Sequence, residues 1–225
     1  MKLTKRLQLL LSLVPFGARV CDVGTDHGYL SIELIKNGGV KSVIATDINE
    51  KPLSRARKNI ERAGVTGIDL RLCDGLSGIK PEETDTVVIA GMGGEVISGI
   101  IEKGSNVLKN NEKTMILQPT TSPEYLRKFL FENGYEIILE EPLYENRKAY
   151  SVMVCRYNGE SGEREPYNYF IGKLTPEKAD GALYIKKQYE RCFKCAKALK
   201  DIPEKKADFE FYNSAAEQLR SILKL

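Results

Sequence analysis

The chain has 225 residues, enough to bury a sizeable core in one domain or in one domain with an appendage. A net charge of +3 and a pI near 8.5 are mildly basic, too little to argue for nucleic acid without a local concentration of charge. Five scattered cysteines point to a reducing cytoplasm rather than a disulfide framework, and no apolar run is long enough to span a bilayer, so no membrane partner is expected.

In chain order, residues 7–14 are apolar but broken by Gln8 and Ser12, and read as an amphipathic helix rather than a leader peptide. Val20, Cys21 and Val23 then fit a buried parallel strand, followed by a helix carrying Leu30, Ile32, Leu34 and Ile35. The turn between them contains Asp22, Gly24, Thr25, Asp26, His27 and Gly28. A dinucleotide fingerprint would need glycine at 22, 24 and 27; only Gly24 is present. With carboxylates at 22 and 26, the turn suits a ligand carrying positive charge better than an anion.

Strand and helix patterns then alternate, which predicts an open α/β sheet. Residues 42–48 read as a strand ending in Asp47 and Ile48, 51–63 as a basic-faced helix stopped by Gly64, and 68–73 as a third strand leading into Asp74, Gly75 and Leu76. Residues 86–90 form a fourth strand that runs through Ala90 into Gly91, Met92, Gly93 and Gly94, with a helix over 96–101. Residues 114–117 form a fifth, ending in Gln118, Pro119 and Thr120. A helix over 123–131 has Ser122 as its expected N-cap, and 135–143 with 149–157 form an antiparallel hairpin around a polar turn at 145–148. Residues 158–166 read as a linker, and 176–200 with 203–225 as a helical hairpin or short coiled coil. Ile185, Tyr189, Cys192, Ala196 and Leu199 share one face of its first helix. From residue 185 to 200, six cations (Lys186, Lys187, Arg191, Lys194, Lys197, Lys200) meet one acid, Glu190: a solvated face or, together with Lys5 and Arg6, a phosphate-binding track. Cys192 and Cys195 are read as helix-packing residues, and no metal site is expected.

The spacing Asp22-x-Gly24-x-x-x-Gly28 resembles motif I of class I S-adenosylmethionine-dependent methyltransferases, and the seven expected strands, the last two paired antiparallel, are that Rossmann-like arrangement. Thr4-Lys5-Arg6-Leu7, Asp26-His27-Gly28-Tyr29, Asp74-Gly75-Leu76 and Ile89-Ala90-Gly91-Met92-Gly93-Gly94 together resemble the bacterial tRNA adenine-N1 methyltransferases of the TrmK family, which modify adenine 22. The resemblance covers the whole chain and implies a methyltransferase unit over 1–157 and a tRNA-engaging helical unit over 165–225, working in the cytoplasm as a monomer or weak dimer.

The resemblance also implies roles. Asp22 and Gly24, with Thr25 and His27 in the same turn, would lie under the methionine portion of S-adenosylmethionine. Asp47, beside Ile48, would accept from the ribose hydroxyls. Asp74, with Gly75 and Leu76, would meet the adenine amine, and Ala90 and Gly91 would complete the pocket. Asp26 is the candidate for stabilising the cationic product ring, with Gln118 or the Gly91 carbonyl positioning the target adenine. Lys5, Arg6, Tyr29, Met92, Gly93, Gly94, Lys187, Arg191 and Lys194 are the candidate tRNA contacts. His27 is open between a base and a substrate-contacting or backbone-fixing role, and Tyr29 between stacking on a base and capping its helix. The Asn/Asp-Pro-Pro-Tyr/Phe motif of many amino-directed methyltransferases is missing after the fourth strand, and Gln118-Pro119-Thr120 follows the fifth. Two alternatives remain at this point: a class I methyltransferase acting on another RNA base or a small molecule, and a non-catalytic RNA-binding module that retains the cofactor pocket.

Overall fold

A computed structural model describes residues 3–225; residues 1 and 2, at the head of the first expected unit, lie outside the described part. Helix α1 (Lys5–Leu13) starts at Thr4, whose Oγ1 accepts from Leu7 N at 3.2 Å. There follow β1 (Ala18–Val23), α2 (Tyr29–Lys36), β2 (Val40–Asp47), α3 (Glu50–Ala63), β3 (Ile68–Leu72), β4 (Thr86–Gly93), α4 (Gly94–Lys103), the single turn α5 (Ser105–Leu108), β5 (Thr114–Thr121) and α6 (Pro123–Glu132). The chain continues through β6 (Tyr135–Glu145), β7 (Lys148–Tyr157), α7 (Pro166–Ile171), α8 (Ala179–Leu199) and α9 (Lys206–Ile222).

The seven strands form one sheet in the order β3-β2-β1-β4-β5-β7-β6. β1 to β5 are parallel, and β7 enters antiparallel between β5 and β6. The chain order reverses between β1 and β4, and ligands of open α/β sheets sit outside the carboxyl ends at such a reversal. Alternation along the central strands sorts the core. Val87, Ile89 and Leu117 pack with Ile97, Ile101, Leu126 and Leu130 on one face, while Val88 and Ile116 pack with Leu10, Leu30 and Leu34 on the other. The strands are therefore covered on both sides, and only their ends are free for function.

Several local expectations change. β4 runs past Ala90 to Gly93 through register irregularities at Met92, β5 runs to Thr121, and α4 begins at Gly94. The β6–β7 turn is tighter than expected: Asn146 and Arg147 alone turn the chain, with φ of 51° and 63°. Ser122 stands at the N-cap of α6 but in a left-handed conformation, and its hydroxyl makes no capping bond. Between the expected linker and hairpin lies the unanticipated α7, and α8 begins at Ala179 rather than 176.

The C-terminal helices build their own core from Phe170, Ile171, Leu174, Tyr184, Ile185, Cys192, Ala215, Ala216 and Leu219. They are tied to the sheet by Arg127 on α6, which is completely buried. Its Nη2 lies 2.6 Å from Glu140 Oε1 on β6 and donates to Ser151 Oγ and Tyr184 Oη, both at 3.1 Å. Its Nη1 donates to the Tyr169 and Phe170 carbonyls at 3.0 and 2.8 Å. Burial opposes the guanidinium charge, but the adjacent Glu140 carboxylate outweighs it and raises the Arg127 pKa overall.

Candidate active site

The turn after β1 is held by its own hydrogen bonds. Gly24 N and Thr25 N both donate to Thr46 O, at 2.8 and 2.9 Å, which fastens the turn to the end of β2. Gly24 has φ of +73°, so its backbone calls for glycine, and the nearest neighbour of a Cβ there would be the flexible tip of Met92. Asp22 is buried beneath this turn. Thr25 Oγ1 and Ser31 Oγ donate to the same carboxylate oxygen, Oδ2, at 2.8 and 2.7 Å. Oδ1 receives no hydrogen bond among the described residues, and Asp22 lines the cleft above. Burial pushes the Asp22 carboxyl above the usual range against those two bonds, and the nearby Asp47 charge adds to the rise. Among the described residues this carboxylate has no cationic partner, and its unengaged oxygen suits a group of positive charge.

The cleft encloses about 380 Å³ and gathers Asp22, Gly24, Thr25, Asp26, His27 and Tyr29 from the β1–α2 turn, Ala90, Gly91 and Met92 from β4, and Arg6 from α1. Leu7, Leu10 and Leu30 supply apolar wall that the sequence reading did not assign to the site. Their signal was the apolar spacing of α1 and α2, which reads equally as core. Ser31 was also missed; only its place one helical turn from the acidic loop marked it. Asp26 sits at φ of 51° with its carboxylate largely exposed, 3.5 Å from His27 Nε2. The His27 and Tyr29 rings stack at 5.4 Å and 14°, and Asn59 Nδ2 holds the His27 carbonyl at 2.9 Å.

Other expected residues lie at neighbouring strand ends, outside this lining. Asp47 Oδ1 accepts from Asn49 N at 2.9 Å, and its other oxygen makes no hydrogen bond among the described residues. Ile48 beside it is exposed, while Asp74 Oδ2 accepts from Lys103 Nζ at 2.8 Å. Gly75 O accepts from Thr46 Oγ1 at 3.2 Å, joining the ends of β2 and β3.

Five assignments change. Leu76 is buried in the core against Ile97 and Ile101 rather than lining the cleft. Gln118 is wholly buried: Oε1 accepts from Gly91 N at 3.2 Å and Nε2 donates to Pro119 O at 2.9 Å, so it fixes Gly91 and has no free end for a substrate. Gly94 is where α4 crosses the β5–α6 loop; a Cβ would stand 2.1 Å from Ser122 O, which makes it a packing glycine rather than a contact. Gly93 meets Thr121 in the same crossing. Arg191 is exposed but held by Glu124 at 2.5 Å and lies over Phe170, so its charge is already engaged rather than free in the cationic stripe. Lys187 donates to Arg147 O at 3.3 Å and lies 5.1 Å from the Tyr144 ring centroid, whereas Lys194 and Lys5 are exposed.

A family described as a methyltransferase domain matches residues 3–153. The tRNA (adenine(22)-N(1))-methyltransferase of Bacillus subtilis is 37% identical over 166 residues, spanning 73% of this chain and 68% of that protein. The chain belongs to the tRNA (adenine(22)-N1)-methyltransferase family. Solved members share the fold throughout: the Bacillus subtilis m1A22 tRNA methyltransferase TrmK superposes with a TM-score of 0.83 at 30% identity over 99% of both chains. Mycoplasma capricolum TrmK, solved with the cofactor product S-adenosyl-homocysteine, gives 0.79 at 28% identity over 100% of this chain and 99% of its own. The resemblance read from the motifs is thus the family, and its seven-stranded sheet with a C-terminal helical hairpin is the fold. Among the described residues, no helix is long and apolar enough to cross a membrane, and no three His, Cys, Asp or Glu side chains are grouped to hold a metal ion.

Proposed function

We infer that this protein transfers the methyl group of S-adenosylmethionine to N1 of adenine 22 in tRNA, giving 1-methyladenosine. The observation that carries this reading is the half-engaged buried carboxylate of Asp22 lining the cleft, in a chain 37% identical to an enzyme of that name. When bound, the cofactor supplies an electrophilic methyl on a cationic sulfur. Asp22 Oδ1 would take its ammonium group, the Gly24–Thr25 backbone its methionine portion, and the free oxygen of Asp47 its ribose hydroxyls. The exposed face of Ile48 and the unengaged oxygen of Asp74 suit its adenine, and Ala90 and Gly91 close the pocket.

Adenine N1 has an in-plane lone pair and is unprotonated at neutral pH, so the protein has to align it rather than deprotonate it. Alignment alone is worth up to about 7–11 kcal/mol in favourable intramolecular reactions. Gln118 serves here as a positioning residue, because it locks Gly91 at the mouth of the cleft. The product ring is cationic, and we assign the exposed Asp26 carboxylate at the rim to stabilising that charge. His27, stacked on Tyr29 and held by Asn59, is assigned the shape of the rim rather than proton transfer. In folded tRNA the target base leaves its stack to reach the cleft, at a cost of a few kcal/mol.

We divide the chain into a catalytic unit, 1–157, and a helical unit, 165–225, that engages tRNA through Lys186, Lys187, Lys194 and Lys197, with Lys5 and Arg6 nearer the cleft. Five free cysteines fit a cytoplasmic enzyme, acting as a monomer or weak dimer. Incubating the protein with S-adenosylmethionine and unmodified tRNA, then mapping nucleosides by mass spectrometry, should give 1-methyladenosine at position 22 and none when that adenine is replaced by guanine. Methylation of another atom or position would contradict the reading.

A further inference from the structure

A second cavity, of about 320 Å³, opens between the β5–α6 loop, the start of β7 and α8, within the size range of ligand sites. It adjoins the methyl-transfer cleft: Thr120, on its wall, donates through Oγ1 to Met92 O at 3.0 Å, and Met92 lines the cleft. Two features of its lining bear on what it could hold. Gln188 is part of the wall, and its Oε1, withdrawn from solvent in this rotamer, accepts no hydrogen bond among the described residues, although buried acceptors are nearly always satisfied. Ser122 holds a left-handed φ of 49°, and its hydroxyl is not used to cap α6. The half-buried Tyr150 and the Glu124-paired Arg191 line the same space, and the other cations of α8 stand on the neighbouring surface.

An unpaired nucleobase answers this set. Sequence-specific contacts to RNA are made to bases splayed out of the helix, stacked on aromatic rings and bonded along their edges by side-chain amides. An aromatic ring, an amide with an unused acceptor and a free hydroxyl are those elements. They stand one residue away from the cleft that takes the target.

We propose that this cavity binds a second base of the tRNA, one of the two nucleotides flanking the target adenine, with Gln188 bonding its edge and Tyr150 stacking on its face. This rests on the tRNA methylation reading and extends it from the reacting base to its neighbour. It makes Gln188 a specificity-determining residue without a role in the chemistry.

The test is a cycle between protein and RNA. Wild type, Gln188→Ala and Tyr150→Leu are assayed on tRNA with an intact chain and on tRNA made abasic at one flanking position at a time. For wild type, removing one of the two flanking bases should raise KM for tRNA roughly tenfold, the size of one lost base stack, with kcat little changed. Gln188→Ala should raise KM similarly on intact tRNA and be insensitive to loss of that same base, with S-adenosylmethionine affinity and melting temperature unchanged. Tyr150→Leu should behave likewise. If neither flanking base couples to either side chain, the proposal is overturned while N1 methylation stands. An enzyme that modifies no tRNA overturns both.

Discussion

Asp22 and Arg127 are both buried charges, and the protein completes one and leaves the other open. Arg127 meets a carboxylate, two hydroxyl groups and two carbonyls, so its charge is matched where α6, β6 and the C-terminal helices join. Among the described residues, Asp22 has two hydroxyls on one oxygen and neither a donor on the other nor a cationic partner, at the edge of a cleft. A matched buried ion holds architecture, because any departure uncovers an isolated charge. A half-matched one holds the native state at a disadvantage that a ligand of opposite sign can relieve.

The comparison is broken most forcefully at the matched site. Arg127→Ala leaves the buried Glu140 carboxylate without a counter-charge, with only the Lys173 backbone N–H still donating to it, and should lower unfolding free energy by about 3–5 kcal/mol in urea denaturation. Arg127→Met combined with Glu140→Leu should recover most of that loss; if the single change is harmless, the junction is not held as described. Asp22→Asn should act the opposite way. It removes an unfavourable buried charge, so the unliganded melting temperature should hold or rise, while S-adenosylmethionine affinity falls at least tenfold, about 1.5–3 kcal/mol for a hydrogen bond to a charged group. Equal loss of stability and affinity would make Asp22 an ordinary structural residue. Asp47→Ala should weaken cofactor binding by roughly five- to tenfold, through loss of the hydrogen bonds assigned to the ribose. Arg191→Ala removes a half-exposed ion pair with Glu124, and should cost less than about 1 kcal/mol of stability.

What could be read from the sequence divides along the same line. The ends of β1, β2 and β3 were legible because strand patterns locate their tips, and Asp22, Asp47 and Asp74 fall at those tips in order. The fates of individual side chains there were not. Gln118 and Leu76 follow strands β5 and β3 just as a ligand contact would, and only packing shows that one is locked onto Gly91 and the other lies in the core. The Gly91-Met92-Gly93-Gly94 run looked uniform, yet Gly94 answers to a helix crossing and Met92 to the cleft. The junction with the C-terminal helices left the faintest trace. Arg127 and Glu140 sit in unremarkable amphipathic surroundings, their partners are distant in sequence, and α7 is six residues in a stretch without strong periodicity. Arg191 belonged by pattern to the basic stripe, and was withdrawn from it by one acid on α6.

The account depends on a cation being received by the open oxygen of Asp22, and calorimetric titration with S-adenosylmethionine as a function of pH tests that directly. Because burial raises the Asp22 pKa, the folded protein without cofactor holds that proton to higher pH than the unfolded chain does, and this contribution to stability is lost as pH rises from the usual carboxylate range, about 3.9, through the raised value. Binding should therefore tighten as pH rises through the same window, with a proton released on binding inside it, and Asp22→Asn should abolish both the pH dependence and the proton release. Folded wild-type protein that gives no heat with S-adenosylmethionine, or binds it equally across that window, would contradict the assignment.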